Sequence, residues 1–344
     1  MRIGTRLVHT PSITESYARR VADRAGVGIV RYQQARFPCG ELFPKPLESV
    51  RGKQVVLLGT VNPATAADDI IRVQLMLDGL YRMGQRGVHL VMPYLPEPLE
   101  LMPLFTNRIS SLTTVNIAPA ARMGNDARSL VNGMSLASFL KQGAARVFGL
   151  PFGYIDLIPD LASHLAAERG QEPFTLLGLR GGFIGKALPG RFSAKIPEAD
   201  FNFVSLIERR SKNGKMVTGI KAEQGEIRQR AILFMREIGS MGSIRRILDF
   251  LAGRRVSELA LGVVHPVYPA EFPEEIGQDE RVKSVMISDT TGIPGENFLL
   301  DGKVEGVELP ALPPKFKVVE TDEPVARVVQ MIAKTGSTLS HSYR

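Results

Sequence analysis

A strand-to-helix turn at Gly239–Ser243 has the composition of a phosphate-binding site. The apolar run Ala231–Phe234 leads into Met235-Arg-Glu-Ile-Gly-Ser-Met-Gly-Ser243, and an amphipathic pattern continues to Leu251. Backbone amides at such a turn point toward an anion, and the helix dipole adds partial positive charge there. We therefore predict phosphate binding by Gly239, Ser240, Met241, Gly242 and Ser243, with plain helix capping by Ser240 or Ser243 as the alternative.

The same turn lacks the acidic side chains that would hold a metal ion or ribose hydroxyls. Met235 and Arg236 stand at the end of the strand, where a carboxylate pair would be needed. The sequence thus predicts a site that binds a ligand without the groups to react with it. We assign no catalytic residue and no metal ligand.

Three further features are interpreted as structural. His265 follows an apolar run without a nearby Ser/Asp pattern, which predicts a packed loop residue. Cys39, the single cysteine, has only Arg36 nearby to activate it, so we treat it as inert. The segment Gly178-Leu-Arg-Gly-Gly-Phe-Ile-Gly185 lacks the spacing of a dinucleotide fingerprint and predicts a tight strand-to-helix turn.

Composition is that of a soluble globular protein. The chain has 344 residues, of which 44% are hydrophobic and 23% charged, enough for two domains with their own cores. One cysteine excludes an internal disulfide and a cysteine-based zinc cluster, and suits a reducing compartment. No apolar run reaches the roughly 18 residues of a membrane span, and no signal-peptide pattern is present. We expect a cytoplasmic protein with no membrane partner.

The net charge of +8 and the pI near 9.6 would suit an anionic partner such as a phosphate, a nucleotide or an acidic protein. The basic residues are spread along the chain, with little aromatic interleaving even in the densest cluster, 208–215. This pattern favours a solvated surface over nucleic-acid binding.

Apolar runs rich in β-branched residues alternate with helical patterns, which favours mostly parallel sheets covered by helices. Ser12 or Thr14 is available as a cap for the first helix. The predicted strands are Gln54–Gly59, Gly87–Met92, Arg146–Leu150, Phe174–Leu179, Phe203–Ile207, Ala231–Phe234, Glu258–Val264 and Val282–Ser288. The predicted helices are Ser12–Ala25, Ala64–Met83, Ala127–Gln142, Asp156–Arg169, Ser243–Leu251 and Pro324–Lys334.

The α/β pattern starts again near Leu150–Pro151, so we predict two tandem domains, 1–152 and 153–323. A C-terminal helix at about 324–344 is expected to be able to pack on the first domain. Three segments rich in Pro, Gly or Thr are interpreted as irregular loops, where insertions and function both occur: Tyr94–Ile117, Arg180–Asp200 and Asn297–Phe316.

Short motifs follow one another in a characteristic order. The first half carries Arg36-Phe-Pro-Cys-Gly-Glu41, Ser49-Val-Arg-Gly-Lys53, Asn62-Pro63 and Val91-Met-Pro-Tyr94; the second carries the turn, His265-Pro-Val-Tyr268, Ser288-Asp-Thr290 and Ser340-His-Ser-Tyr343. In this order the chain resembles, nearly end to end, the ribose-phosphate pyrophosphokinases, or phosphoribosyl-pyrophosphate synthetases. The resemblance implies an α/β fold of two tandem phosphoribosyltransferase-like (type I) domains.

The resemblance also shows where this chain departs from the family. The family's paired aspartates align with Met235-Arg236, and a later aspartate of the loop aligns with Gly239. Its metal-binding histidine falls on Pro151-Phe-Gly153, and its nucleotide-binding Arg-Gln-Asp is replaced from Leu95 onward. Pyrophosphoryl transfer depends on magnesium and cationic side chains, so these changes predict little or no synthetase activity.

Other family positions are retained. By the resemblance, Phe37 and Glu41 belong to a nucleotide segment, in degenerate form because Cys39 replaces an aspartate. Ser49 and Arg51 match an effector site between subunits, where arginine supplies a bidentate fork for phosphate. The alternative is that Arg51 simply pairs with a surface carboxylate.

Three functions remain open at the level of the sequence. The first is a catalytically degenerate paralogue that regulates or scaffolds the production of phosphoribosyl pyrophosphate. It would form a homo-oligomer (a family-like dimer or hexamer) or assemble with an active synthetase subunit, and it would need no cofactor. The second is a divergent enzyme using Mg²⁺ and ATP, with displaced carboxylates from Glu237, Asp156 or Glu100. The third is a phosphate- or nucleotide-sensing module with an acidic or nucleic-acid partner.

Overall fold

The computed structural model describes residues 4–36, 42–61, 65–95, 105, 107–115, 146–147, 150–169, 172–179, 183–210, 217–223, 225–269, 271–291 and 312–336. The strands are β1 Thr5–His9, β2 Gly28–Ile29, β3 Tyr32–Arg36, β4 Leu42–Pro46, β5 Gln54–Leu58, β6 Gly87–Met92, β7 Ser111–Val115, β8 Arg146–Val147, β9 Leu150–Ile155, β10 Phe174–Leu179, β11 Phe201–Arg210, β12 Val217–Ala222, β13 Arg230–Met235, β14 Glu258–Val263, β15 Val282–Ser288 and β16 Phe316–Val319. The helices are α1 Glu15–Ala25, α2 Ala66–Arg82, α3 Ile158–Arg169, α4 Phe183–Lys195, α5 Met241–Ala252, α6 Phe272–Gln278 and α7 Asp322–Thr335.

Two seven-stranded sheets dominate the described residues. The first has the order β2-β1-β5-β6-β7-β9-β8 and the second the order β12-β11-β10-β13-β14-β15-β16. Within these two sheets pairing is parallel except for β8 with β9 and β11 with β12, and β3 pairs antiparallel with β4 in a separate two-stranded sheet. The central strands are almost continuously apolar, because helices cover both faces of a parallel sheet. The α/β class with mostly parallel sheets is confirmed.

One hydrophobic cluster spans both sheets, beside a separate cluster in each half. The largest cluster joins apolar side chains of α1 and β5 to those of α3, β10 and α7. Helix α7 lies against α1: the Tyr17 hydroxyl is 2.8 Å from Thr321 Oγ1, and Arg24 Nε donates to Asp322 over 2.8 Å. The C-terminal helix therefore packs on the first half of the chain. Strand β9 belongs to the first sheet, which extends to Ile155, three residues past the predicted domain boundary at 152.

Most predicted elements match the structure, with ends set by local caps. Helix α1 begins after Thr14, whose Oγ1 accepts from the Tyr17 amide at 3.3 Å. Helix α3 begins at Ile158 because its amide donates to Asp156 Oδ1 at 3.2 Å. Helix α5 begins at Met241, two residues earlier than predicted, because Ser240 caps it.

Several predictions were wrong. The predicted strand Arg146–Leu150 is two antiparallel strands, β8 and β9. The predicted loop Tyr94–Ile117 contains the buried strand β7, and Arg180–Asp200 contains helix α4 with Pro189 inside it. In both cases burial in the sheet layers outweighs weak local preference. The predicted helix Ala127–Gln142 lies outside the described residues, as does most of Asn297–Phe316.

A buried histidine makes the first sheet sensitive to acid. His89 in β6 is 2% exposed, receives a hydrogen bond from Gln54 Nε2 at 2.7 Å, and lies 2.7 Å from Ser111 Oγ through Nδ1. Burial lowers the pKa of His89 to about 4. Since the unfolded chain takes up this proton near pH 6.5, stability present above that pH is lost as pH falls toward 4.

We expect His89→Gln to retain about 2 kcal/mol of unfolding free energy that the wild type loses between pH 7 and pH 5. Asp289 acts in the opposite sense, since burial raises its pKa to about 6, and the stability it contributes at low pH is lost as pH rises through 6. Urea unfolding of both proteins at the two pH values separates the effects. Equal losses in the variant and the wild type would contradict the assignment to His89.

In the described part of the chain, no helix is both long and apolar enough to cross a lipid bilayer.

Candidate functional site

The turn Gly239–Ser243 lies at the carboxyl end of β13, in the middle of the second sheet. Ser240 has extended backbone angles, and its Oγ accepts from the Ser243 amide at 3.2 Å, which makes it the N-cap of α5. The Ser243 and Ile244 amides also approach the Ser240 carbonyl, at 3.2 and 3.4 Å. The capping alternative is therefore correct for Ser240, which satisfies one of the free amides at this helix end.

Capping leaves room for an anion at the same turn. Within the described residues, the amides of Gly239, Met241 and Gly242 have no backbone acceptor outside the helix ladder. Gly239 and Gly242 are exposed, and a Cβ at Gly239 would meet no atom within 4 Å. The first turn of α5 carries no acidic residue to compete with an anion for the helix dipole. The predicted phosphate-binding residues thus form an open, positively polarised turn.

Arg236 and Glu237 lie between the strand and this turn. Arg236 Nη2 donates to Glu237 Oε1 at 2.7 Å, and the two side chains are 15% and 29% exposed. Met235 instead points into the apolar core with 4% exposure. A partly buried guanidinium attracts phosphate oxygens, since charge-assisted hydrogen bonds are strong where water is partly excluded. The chain therefore supplies a guanidinium, paired with Glu237, at this strand end.

Residues of the first sheet close one side of the site. Tyr94 follows β6, and its hydroxyl lies 3.5 Å from Glu237 Oε2 as donor. The Tyr94 ring packs edge-on against His265, with 5.0 Å between centroids. Thr60, which follows β5, donates through Oγ1 to the Thr290 carbonyl at 2.8 Å. The carboxyl ends of both sheets therefore meet at this junction, which we call the interdomain cleft; open α/β sheets bind ligands at such strand ends.

His265 is buried in a network of hydroxyl groups at the base of this cleft. It is 1% exposed, its Nδ1 lies 2.9 Å from Thr290 Oγ1, and Thr290 Oγ1 is 2.9 Å from Ser288 Oγ. Its amide donates to the Arg236 carbonyl at 2.7 Å, and the Ile238 amide donates to the Val267 carbonyl at 2.9 Å. The packed interpretation of His265 is confirmed, and these bonds fix the loop that carries Arg236.

The predicted effector residues lie away from this cleft, just before β5. Ser49 and Arg51 are exposed, and the Arg51 amide donates to Ser49 Oγ at 3.3 Å. The Gly52 amide donates to the Gly84 carbonyl at 2.9 Å, which fixes this corner of the sheet. Among the described residues no carboxylate forms an ion pair with Arg51, so the surface-pair alternative receives no support there. The structure brings Ser49 and Arg51 together but not into the cleft.

Comparison with known proteins gives a consistent result. A family model described as the N-terminal domain of ribose phosphate pyrophosphokinase matches residues 7–98. Ribose-phosphate pyrophosphokinase 1 of Streptococcus pneumoniae serotype 4 is 23% identical over 304 residues, which cover 87% of this chain and 88% of that protein. The enzyme of Bacillus caldolyticus is 22% identical over 281 residues, 81% of this chain and 84% of that protein. Over most of its length this chain is therefore similar to ribose-phosphate pyrophosphokinases, with a family-model match in its N-terminal part.

The fold agrees with this assignment. The crystal structure of phosphoribosylpyrophosphate synthetase from Mycobacterium smegmatis superposes with a TM-score of 0.72 and 14% sequence identity, covering 97% of this chain and 100% of that chain. The two phosphoribosyltransferase-like domains of the family therefore correspond to the two sheets described here.

The carboxylates considered as displaced ligands have other contacts. Asp156 caps α3, and Glu237 pairs with Arg236. Glu100, Cys39 and the predicted nucleotide residues Phe37 and Glu41 lie outside the described residues, as does 337–344. Within the ranges that the structure describes, no three His, Cys, Asp or Glu side chains are grouped so that they could hold a metal ion.

The sequence located the turn and named Glu237 as a candidate ligand, but it did not predict the contacts that join the two sheets there. Tyr94 and Glu237 are 143 positions apart, and Thr60 and Thr290 are 230 positions apart. No local pattern links such pairs. Arg236 could have been recognised, since a cation directly before a Gly/Ser turn is itself an anion-binding signal.

Proposed function

We propose that this chain binds a phosphorylated sugar or nucleotide at Gly239–Ser243, has little or no synthetase activity, and regulates or scaffolds an active synthetase. The observation that carries this proposal is Arg236, which with Met235 stands where the family resemblance places paired aspartates, and whose guanidinium donates to Glu237. A guanidinium in that position attracts the phosphate of the ligand directly and repels a divalent cation. Binding is therefore uncoupled from the metal chemistry of phosphoryl transfer.

The proposed assembly follows from the second group of retained residues. Ser49 and Arg51 are exposed, adjacent and held at a fixed corner of the first sheet. An exposed arginine fork fits a phosphate contributed at a subunit contact. The relatives named above are ribose-phosphate pyrophosphokinases. We propose that this chain forms a homo-oligomer, or an oligomer with an active synthetase subunit.

Titration calorimetry with ribose 5-phosphate tests the binding site. We expect Arg236→Ala to weaken binding at least tenfold, a loss of about 1.5 kcal/mol or more, because it removes the guanidinium and leaves Glu237 unpaired beside the ligand. Glu237→Gln is expected to tighten binding, since it removes the competing carboxylate. Each protein should bind ribose 5-phosphate with the same affinity in Mg²⁺ as in a chelator.

Arg254→Ala is the matched control, because Arg254 follows the far end of the same helix and its guanidinium lies over the Phe250 ring. It removes one positive charge without touching the turn, so affinity should change little. If Arg236→Ala and Arg254→Ala weaken binding equally, the turn is not the site. If binding requires Mg²⁺, the metal-free account is wrong.

A divergent enzyme is the second candidate, and the location of Glu237 favours it. Its carboxylate lies beside the turn and within reach of the Tyr94 hydroxyl. If Glu237 holds a metal, divalent cations with a phosphorylated sugar should raise the melting temperature, and Glu237→Ala should abolish that rise. The absence of any cation-dependent shift would remove this candidate.

A further inference from the structure

A polar groove lies at the edge of the first sheet opposite to Thr60 and Tyr94. Its volume is about 930 Å³, and it is bounded by the amino ends of β1, β2, β5 and β6 together with the last turns of α1 and α7. A volume of this size is enough for a nucleotide or a sugar phosphate. Neither the phosphate turn nor Ser49 and Arg51 contributes to its wall. It is therefore separate from both sites described above.

Among the residues that the structure describes, the charged residues of the groove are all cationic. Arg6, Arg86 and Lys334 line it, and no described aspartate or glutamate does. None of the three forms an ion pair with a carboxylate in the part of the chain that the structure describes. Elsewhere on the surface most described arginines are paired, for example Arg19 with Glu15 and Arg327 with Glu323. Three uncompensated cations around one concave surface attract a multiply charged anion.

The floor of the groove offers neutral hydrogen-bonding groups. His89 is buried there and, because burial lowers its pKa to about 4, it is uncharged at neutral pH. Thr5 is 6% exposed, and its Oγ1 has no hydrogen-bond partner among the described residues. A buried hydroxyl without a partner costs free energy that a ligand atom can recover.

Glycines shape the walls. A Cβ at Gly28 would lie 2.9 Å from Arg6 Nη1, so a larger residue there would displace this guanidinium from its position beside β2. Gly26 and Gly336 have φ of +68° and +73° and end α1 and α7 at the groove. The carbonyl groups at these two helix ends carry partial negative charge. They disfavour a bare anion but accept hydrogen bonds from hydroxyl or amino groups of a larger ligand.

We propose that this groove binds a phosphate-bearing small molecule of nucleotide size, held through its phosphate by Arg6, Arg86 and Lys334. The sugar or base contributes hydroxyl and amino donors to Thr5 and to the ends of α1 and α7. The groove is a second ligand site on the first domain, independent of the interdomain cleft.

The test is calorimetric titration of the full chain with adenosine monophosphate, with ribose 5-phosphate and with inorganic phosphate. The groove variant is Arg86→Glu with Lys334→Glu, two exposed positions whose change leaves the core intact. The matched control is Lys221→Glu with Arg254→Glu, which changes net charge equally on the second domain. Arg236→Ala provides the background in which the interdomain cleft is weakened.

We expect a binding event that survives Arg236→Ala and is weakened at least about thirtyfold by the groove variant, with little change in the control. Inorganic phosphate is expected to bind more weakly than the two larger ligands, because it cannot reach the helix ends. A loss of all binding in Arg236→Ala would overturn the proposal. Equal losses in the groove variant and the control would also overturn it, since they would reflect net charge alone.

Discussion

Purified free of any host synthetase, the chain is expected to convert ribose 5-phosphate and ATP at least about 10³-fold more slowly than an active family member. Phosphoryl-group transfer demands little covalent chemistry of the protein and depends on metal ions and cations placed around the transferring group. By the family resemblance, Met235, Arg236 and Gly239 replace three aspartates. Each such loss is worth roughly 3 kcal/mol of transition-state stabilisation, although the losses do not add fully.

The measurement is product formation with Mg²⁺ at saturating substrates, run beside an active synthetase at equal concentration. Arg236→Asp is an informative companion, since it returns one carboxylate without restoring the others. We expect it to stay inactive and to lose affinity for ribose 5-phosphate. A normal rate in the wild-type chain would show that other residues rebuild the reaction centre.

Phe234→Ala is expected to lower the free energy of unfolding by about 4 kcal/mol, the largest stability effect of any single change considered for this chain. Phe234 is fully buried in β13, and its ring packs edge-on against Phe192 of α4, with 6.4 Å between centroids. The ring also fills the space over Gly262, where a Cβ would lie 2.6 Å from it. Truncation leaves a cavity at the centre of the second sheet.

Phe250→Ala is the matched control, because Phe250 is a half-buried residue of α5 whose ring lies beneath the Arg254 guanidinium. It is expected to cost about 1 kcal/mol. Urea unfolding followed by circular dichroism measures both variants. Similar costs for the two would mean that β13 is not packed as described.

The strands that the sequence predicts well are the continuous apolar runs. Gly87–Met92 and Phe174–Leu179 match residue for residue, because a buried parallel strand needs no polar face. Strand β7, Ser-Leu-Thr-Thr-Val, does not read as a core strand, since three of its five residues are polar. It is buried through pairing with β6 and β9, which local pattern does not show.

Helix α4, like strand β7, was not predicted from the sequence. Pro189 and Gly190 weaken helix preference in its middle. The burial of Leu188 and Phe192 against the second sheet stabilises it nevertheless. Tertiary packing here outweighs local helix propensity. The contribution of that packing cannot be calculated from the sequence alone.

The candidate site also has a part that is encoded locally and a part that depends on long-range packing. The turn at Gly239–Ser243 is encoded locally by its glycines and serines, so its position and its cap were predictable. The contacts of Tyr94 with Glu237 and of Thr60 with Thr290 depend on how the two sheets meet. Long-range geometry of this kind emerges only when both halves are folded together.

A regulatory or scaffolding role is tested by measuring the synthetase rate of an active subunit from the same source while it is titrated with this chain. We expect little or no product from the chain alone, and a rate of the active subunit that changes and saturates near equal amounts of the two proteins. An unchanged rate at every ratio, with both proteins folded and ribose 5-phosphate bound, would contradict a regulatory or scaffolding role.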